Sequence, residues 1–334
     1  MKAVLCKEFG PPSSLVIEDV ASPEPQKGQV VVEIHSAAVN FPDVLIIENK
    51  YQFKPPLPFS PGGEVAGIVT KLGEGVTKVK LGDRVLGSCF WGGFAEEVAI
   101  DEGRVTLIPD DMSYVTASAF LIAYGTSHHA LKDRAHIQPG ETLLVMGAAG
   151  GVGLAAVELG KAMGARVIAA ASSEEKLQIC RDHGADETLL YPTGSLDKNQ
   201  QRALTDQIKA LTGGQGADVV YDPVGGDYAE PALRATNWEG RYLVVGFASG
   251  PIPKIPLNLA LLKGCQIVGV FWGAFADRNP ARHQENLKEM MAWFKQGKLR
   301  PYISREYKLS QAATALEDIA SRKVKGKIVL VPER

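Results

Sequence analysis

Cysteine is scarce: Cys6, Cys89, Cys180 and Cys265 in 334 residues, with no Cys-x-x-Cys pair among them. That spacing suggests neither a disulfide framework nor a thiolate zinc site. The four thiols are expected to pack as small hydrophobes. No apolar run approaches the roughly 20 residues that span a bilayer. The N-terminal MKAVLCKEFG lacks the apolar stretch of a signal peptide. An excess of either charge is missing too. The net charge is −2 and the pI about 6.3, and no stripe is basic or rich in aromatics, which argues against nucleic acid and anionic membrane as partners. A Gly-x-Ser-x-Gly elbow, needed by many serine hydrolases, does not occur. His128 and His129 are adjacent, so on a helix they face different ways. His35, His136, His183 and His283 stand alone. These absences leave a soluble, cytoplasmic protein as the expectation.

The residues that are present divide the chain by texture. Up to about 110 it is strand-like and rich in Gly and Pro: QVVVEIHSAAV, GEVAGIVTKLG, DRVLGSCF and FAEEVAI, separated by turn signals such as PEPQKG and WGG. An antiparallel, barrel-like domain fits. FKPPLPFSPGG must be an irregular loop, since proline removes ladder donors. From about 112 SYVTASAFLIAYGTSHHALKD reads as helical. Strands and helices then alternate through TLLVMGA, GVGLAAVELGKAMG, RVIAAA, SEEKLQICRDHG and ADVVYDPVG, which predicts a doubly wound parallel sheet.

TLLVMGAAGGVGLAAVELGKAMGARVIAAASS is the strongest signal. A strand ends at Met146, and Ala149, Gly150, Gly151, Val152 and Gly153 lead into a helix. Glycines there let the backbone approach a pyrophosphate, and the helix N-terminus offers N–H groups and the positive end of a dipole. The first glycine of the usual Gly-x-Gly-x-x-Gly is Ala148. At the tip of the next strand an acid would hold a ribose 2′-hydroxyl. Ser172 and Ser173 stand there instead, with Lys176 one turn on. Two hydroxyls and a cation suit the 2′-phosphate of NADPH. The same residues also read as a helix cap, with Ser172 and Glu175 as a capping box.

GAAGGVG together with VNFPDVLI, PGGEVAGIV and LGDRV resembles the medium-chain dehydrogenase/reductase superfamily. Within it the chain looks like the zinc-independent NADPH:quinone oxidoreductases, including the zeta-crystallins. The resemblance covers essentially the whole chain. It implies an α/β protein: a GroES-like β-barrel catalytic domain at 1–120 and 266–334, a Rossmann domain at 121–265, and a cofactor in the cleft between them. Zinc-dependent relatives hold their catalytic metal with two cysteines and a histidine. Those positions read Asn40, Gly63 and Ile122, and none can replace a thiolate or imidazole. The resemblance therefore implies no metal. It also implies a homodimer, paired through the apolar edge strand CQIVGVF.

Without a Lewis acid, quinones and α,β-unsaturated carbonyls are the natural hydride acceptors, because conjugation spreads the charge that develops. By resemblance, Asn40 contacts the nicotinamide–ribose end and could donate a hydrogen bond to a carbonyl oxygen. The plain alternative is an Asn that caps a turn. Tyr51 matches an active-site tyrosine, though a surface tyrosine on a Pro-rich loop fits as well. Thr126 is expected near the nicotinamide amide and Tyr191 near the adenosine phosphate. Gly246, Phe247, Phe271 and Trp272 are expected in loops against the nicotinamide. Arg322 and Lys327 either reach the cofactor side or form a solvated basic face. The leading expectation is an NADPH-dependent quinone or enone reductase. Its rivals are an enoyl-CoA reductase and a non-catalytic, crystallin-like NADPH-binding protein. Glu64 in PGGEVAG is a carboxylate for which the sequence names no partner.

Overall fold

The 11-residue strand Gln29–Val39 organises the first unit. One edge pairs antiparallel with Glu64–Leu72. The other edge pairs first with Glu97–Asp101 and then, at Ala37–Val39, with the C-terminal strand Lys327–Val331. A strand paired along both edges must bury most of its side chains, which explains why seven of the eleven residues in QVVVEIHSAAV are apolar. The strands Arg84–Ser88, Val105–Leu107 and Ile303–Lys308 complete this largely antiparallel sheet. The Pro-rich run before Gly62 carries no helix or strand.

The protein is described from a computed structural model, which covers residues 1–333. Residues 123–300 form the second compact unit. Six parallel strands make its sheet, in the spatial order Glu187–Leu190, Arg166–Ala171, Thr142–Val145, Ala217–Asp222, Thr236–Val244, Gln266–Gly269. The order reverses between the first strand of the sheet and the fourth, as in a Rossmann fold. Leu143, Leu144, Val145, Val167 and Ile168 are fully buried, as expected of strands covered on both faces.

The return to the first unit comes later than the sequence suggests. Residues 266–300, expected with the barrel, belong to the parallel-sheet unit. Gln266–Gly269 adds to that sheet as its edge strand, and the helix Pro280–Lys295 follows within the same unit. The single helix expected after residue 112 is also divided. Tyr114–Ser118 and Leu121–His128 are separate helices, followed by a π-helical turn, His129–Arg134. Among the described residues no helix is long and apolar enough to cross a membrane.

Candidate active site

The strand Gln29–Val39 delivers Asn40 to the N-cap of the short helix Phe41–Ile47, but the Asn40 side chain does not cap it. Asp43 supplies half a capping box in its place, its Oδ2 accepting the Asn40 N–H at 2.7 Å. The Asn40 amide turns instead toward Glu64, the first residue of the neighbouring strand, and Nδ2 donates to Oε2 at 3.2 Å. Glu64 is fully buried and Lys327 is 5% exposed. The Lys327 ammonium donates to Asn40 Oδ1 and lies 3.4 Å from Glu64 Oε2. The second carboxylate oxygen accepts the Ile122 N–H at 2.9 Å. Ile122 is the second residue of the helix Leu121–His128, in the first turn, where the N–H groups have no intrahelical acceptor. The break in the predicted helix thus frees a donor that the buried carboxylate uses.

This arrangement decides the metal question by chemistry. An ideal Cβ on Gly63 would lie 3.3 Å from the Phe90 carbonyl oxygen and 3.8 Å from Ile122 Cδ1. The positions held by ligands in zinc-dependent dehydrogenases are therefore neighbours here, and they present an amide, a hydrogen and an alkyl chain. Lys327 brings a positive charge to the same cluster. The donor set does not fit a zinc ion. No group of three or more His, Cys, Asp or Glu that could hold a metal occurs among the described residues.

Asp43 was missed by the sequence reading, although its place three residues after an N-cap Asn was a legible signal. It is buried, and burial pushes its carboxyl up to about 7. The backbone N–H groups of Asn40 and Gly62 and the Lys327 charge pull the other way, while Glu64 adds to the rise. Gly62 takes φ +93°, and a Cβ there would meet Phe94 at 2.4 Å, so the first glycine of PGGE is required by both conformation and space. Tyr51 is half-buried. Burial and then the Asp43 charge raise its phenol above the ordinary value. Its ring meets Phe53 at 5.9 Å, and Phe53 meets Phe90 at 5.1 Å. Cys89 donates to the Gly62 carbonyl at 3.3 Å, and burial pushes its thiol up to about 12, which makes it inert. Arg322, by contrast, is exposed at the turn after the helix Ala312–Ala320, so it and Lys327 do not form one basic patch.

In the second unit the glycine-rich turn has a shape that can hold a phosphate. The 12-residue helix Gly151–Ala162 starts from Gly150 as N-cap. A Cβ on Gly153 would lie 2.3 Å from the Gly147 carbonyl oxygen, so only glycine lets this helix approach the strand end. Gly150, Gly151 and Val152 are half-buried and Ala149 is buried. Tyr191 sits just past the strand Glu187–Leu190, buried and 5.0 Å from the Tyr228 ring. At the tip of Arg166–Ala171 the cap is displaced by one residue from the expected capping box. Ser173, not Ser172, is the N-cap and accepts the Lys176 N–H. Ser172 is left to the Lys176 ammonium, 3.4 Å away. Glu174, which could have repelled a phosphate, is tied to Arg181. The turn, the hydroxyl and the ammonium together fit a dinucleotide with a 2′-phosphate.

Around Thr126, which is half-buried, the helix is shaped by Trp272. A Cβ on Gly125 would meet the Trp272 indole at 2.7 Å. Phe271, next to it, is exposed. Gly246 and Phe247 follow the strand Thr236–Val244, and their loop is braced by Asp222, a second residue the sequence reading missed. Asp222 Oδ1 accepts the Val224 and Gly225 N–H groups at 2.8 and 3.0 Å, and the Tyr242 hydroxyl donates to Oδ2. The braced turn packs on Phe247, since a Cβ at Gly225 would meet that ring at 2.8 Å. An Asp at a strand end ahead of Pro-x-Gly-Gly is the signal that could have found it.

A discontinuous unit built on a GroES-like sheet, carrying an inserted Rossmann unit with a glycine turn, defines a medium-chain dehydrogenase/reductase. Comparisons with known proteins agree. Residues 26–110 match the alcohol dehydrogenase GroES-like domain and residues 151–296 match the zinc-binding dehydrogenase family. A quinone oxidoreductase-like protein 2 homolog from Nematostella vectensis is 43% identical over 98% of this chain and 88% of its own. The quinone oxidoreductase of Sus scrofa is 34% identical over 99% of this chain and 98% of its own. The Escherichia coli quinone oxidoreductase, solved in complex with NADPH, superposes with a TM-score of 0.90 at 27% identity, over 99% of this chain and 100% of that one. The chain belongs to the quinone oxidoreductase, or zeta-crystallin, family of oxidoreductases.

Two outcomes follow from the buried charges. Lys327→Met leaves Glu64 uncompensated and is expected to destabilise the fold by about 3–5 kcal/mol. Adding Glu64→Gln should recover part of that loss, as read by denaturant melts of the two variants. Asp43 titrates with a folded value of about 7 against an ordinary 3.8. Its protonated form is the one the fold prefers, so its contribution is complete below about pH 3.8 and is lost as the pH rises toward 7. The gap in melting temperature between Asp43→Asn and the native protein should therefore widen in favour of the variant from pH 5 to pH 8. A gap independent of pH would contradict this.

Proposed function

We propose that the protein is a zinc-independent reductase that uses NADPH to reduce quinones or other α,β-unsaturated carbonyl compounds. The observation that carries this reading is the cluster at Asn40, Glu64 and Lys327, where a fixed amide and a buried ammonium take the place of a metal and its ligands. Relatives named quinone oxidoreductases, one of them solved with NADPH, support it. When bound, the cofactor supplies the hydride.

The chain's own residues have distinct tasks. The turn Ala149–Gly153 presents backbone N–H groups to the pyrophosphate, and Ser172 and Lys176 take the 2′-phosphate. Asn40 Nδ2 offers a hydrogen bond. Tyr51, whose phenol is raised above its ordinary value, holds its proton and acts as a hydroxyl donor and not as an acid. Conjugated acceptors suit such a site, since their oxygen needs only hydrogen bonds as it gains charge.

A screen of NADPH oxidation against quinones, enones, enals and crotonyl-CoA tests the substrate class. Turnover is expected with quinones or enones, and Tyr51→Phe, which deletes a hydrogen-bond donor but no acid, should lower it by roughly tenfold at most. Faster turnover of crotonyl-CoA would move the assignment to thioesters, and binding of NADPH with no turnover would leave a carrier protein. Cofactor choice has its own check. Lys176→Ala removes one charge-assisted bond, worth about 1.5–3 kcal/mol, so NADPH affinity should fall by roughly 10- to 100-fold while NADH affinity stays level in fluorescence titrations. An equal fall for both cofactors would count against the 2′-phosphate site.

A further inference from the structure

Among the described residues, the hydrogen bonds around Asn40 leave one donor unspent. Oδ1 can only accept, and it faces the Lys327 ammonium. Nδ2 carries two protons, and one goes to Glu64 Oε2. Rotating the amide by 180° would set Oδ1 against the carboxylate and Nδ2 against the ammonium, two repulsions in a buried setting. The charges on either side therefore hold the amide in one orientation. Asn40 is half-buried, whereas Glu64 and Lys327 are buried, so the second Nδ2 proton is the part of the cluster that can meet a ligand. The ammonium on Oδ1 withdraws electron density from the amide and strengthens that remaining N–H as a donor.

We infer that Lys327 and Glu64 are positioning residues that clamp the Asn40 amide, so that its second Nδ2–H is presented, pre-oriented and polarised, to an oxygen acceptor of the ligand. This rests on the reductase reading above and names the donor and the machinery that aims it. The acceptor is either the oxygen of the conjugated carbonyl or a hydroxyl of the cofactor's ribose. Preorganised donors of this kind cost no reorientation when charge develops, and loss of one typically lowers turnover by about 10²-fold or more.

A mutant cycle tests the clamp. Because Lys327→Met alone can fail to fold, the paired variant Lys327→Met/Glu64→Gln is compared with Asn40→Ala and with all three changes together. The paired variant is expected to lose at least roughly tenfold in kcat, and in the Asn40→Ala background the same pair should cost little more. A purely structural role would lower kcat by the same factor in both backgrounds, and that result, or full kcat in the paired variant, would overturn the inference. The KM for the carbonyl substrate and the Kd for NADPH, measured by fluorescence, separate the two acceptors: a fall in NADPH affinity assigns the ribose, and a fall in kcat at constant Kd assigns the carbonyl. A readout free of turnover is the side-chain amide of Asn40 in ¹⁵N–¹H spectra, assigned by its loss in Asn40→Ala. It should give one fixed pair of proton signals in the native protein and an averaged or shifted pair in the paired variant. An unchanged pair would overturn the clamp even if the native protein reduces none of the substrates screened.

Discussion

A carboxylate cannot be taken out of water without replacing its hydration, and the first unit is arranged around that requirement at Glu64. Its two oxygens draw on three donors from three separate parts of the chain: the Asn40 amide, the Ile122 backbone and the Lys327 ammonium. Burying an isolated ion costs several kcal/mol, and an ion pair offsets this only where the remaining lone pairs are also satisfied. Each donor therefore carries a constraint. The strand before Asn40 has to end where it does, the helix before Ile122 has to break, and the C-terminal strand has to lie against Ala37–Val39. The charge that holds the barrel together is also the charge that orients its amide.

The parallel-sheet unit was legible in the sequence for a simple reason. Strands buried on both faces are continuous apolar runs, and the turn that admits a phosphate needs glycines at fixed offsets, so local composition carries the signal. Gly153 shows it well, since its place in the pattern coincides with a contact that excludes any side chain. The cap at Ser173 was misplaced by one residue because adjacent serines are equivalent in propensity, and the choice between them is made by which one the backbone of Lys176 reaches. The end of the unit was misplaced by more. An edge strand and an amphipathic helix such as Gln266–Gly269 and Pro280–Lys295 look alike in either unit, and only pairing with Thr236–Val244 decides.

The barrel's site was far less legible. The replacement of metal ligands by Asn40, Gly63 and Ile122 could be read along the chain, but what replaced the metal's charge could not. Glu64 and Lys327 are 263 residues apart, and no local pattern links them. Lys327 looked like one member of a basic run, SRKVKGK, and the fold separates it from the rest: Arg322 stays exposed while Lys327 turns inward. Asp43 was hidden for a related reason. As an N3 carboxylate it would be ordinary on a surface helix, and only its burial makes it a proton-binding group near neutrality.

The separation of Glu64 from Lys327 has a consequence for synthesis. At about 5–20 residues per second, the 263 residues between them take on the order of 13–50 s to emerge. Throughout that time the strand Glu64–Leu72 and its neighbours exist without the cation that neutralises their buried acid, while the whole parallel-sheet unit has time to form. The barrel is therefore the part of the nascent chain left open longest, and its closure waits for the last strand. A quality-control protease that recognises exposed strand edges would meet this protein mainly through its first unit, although most of that unit is translated before the second.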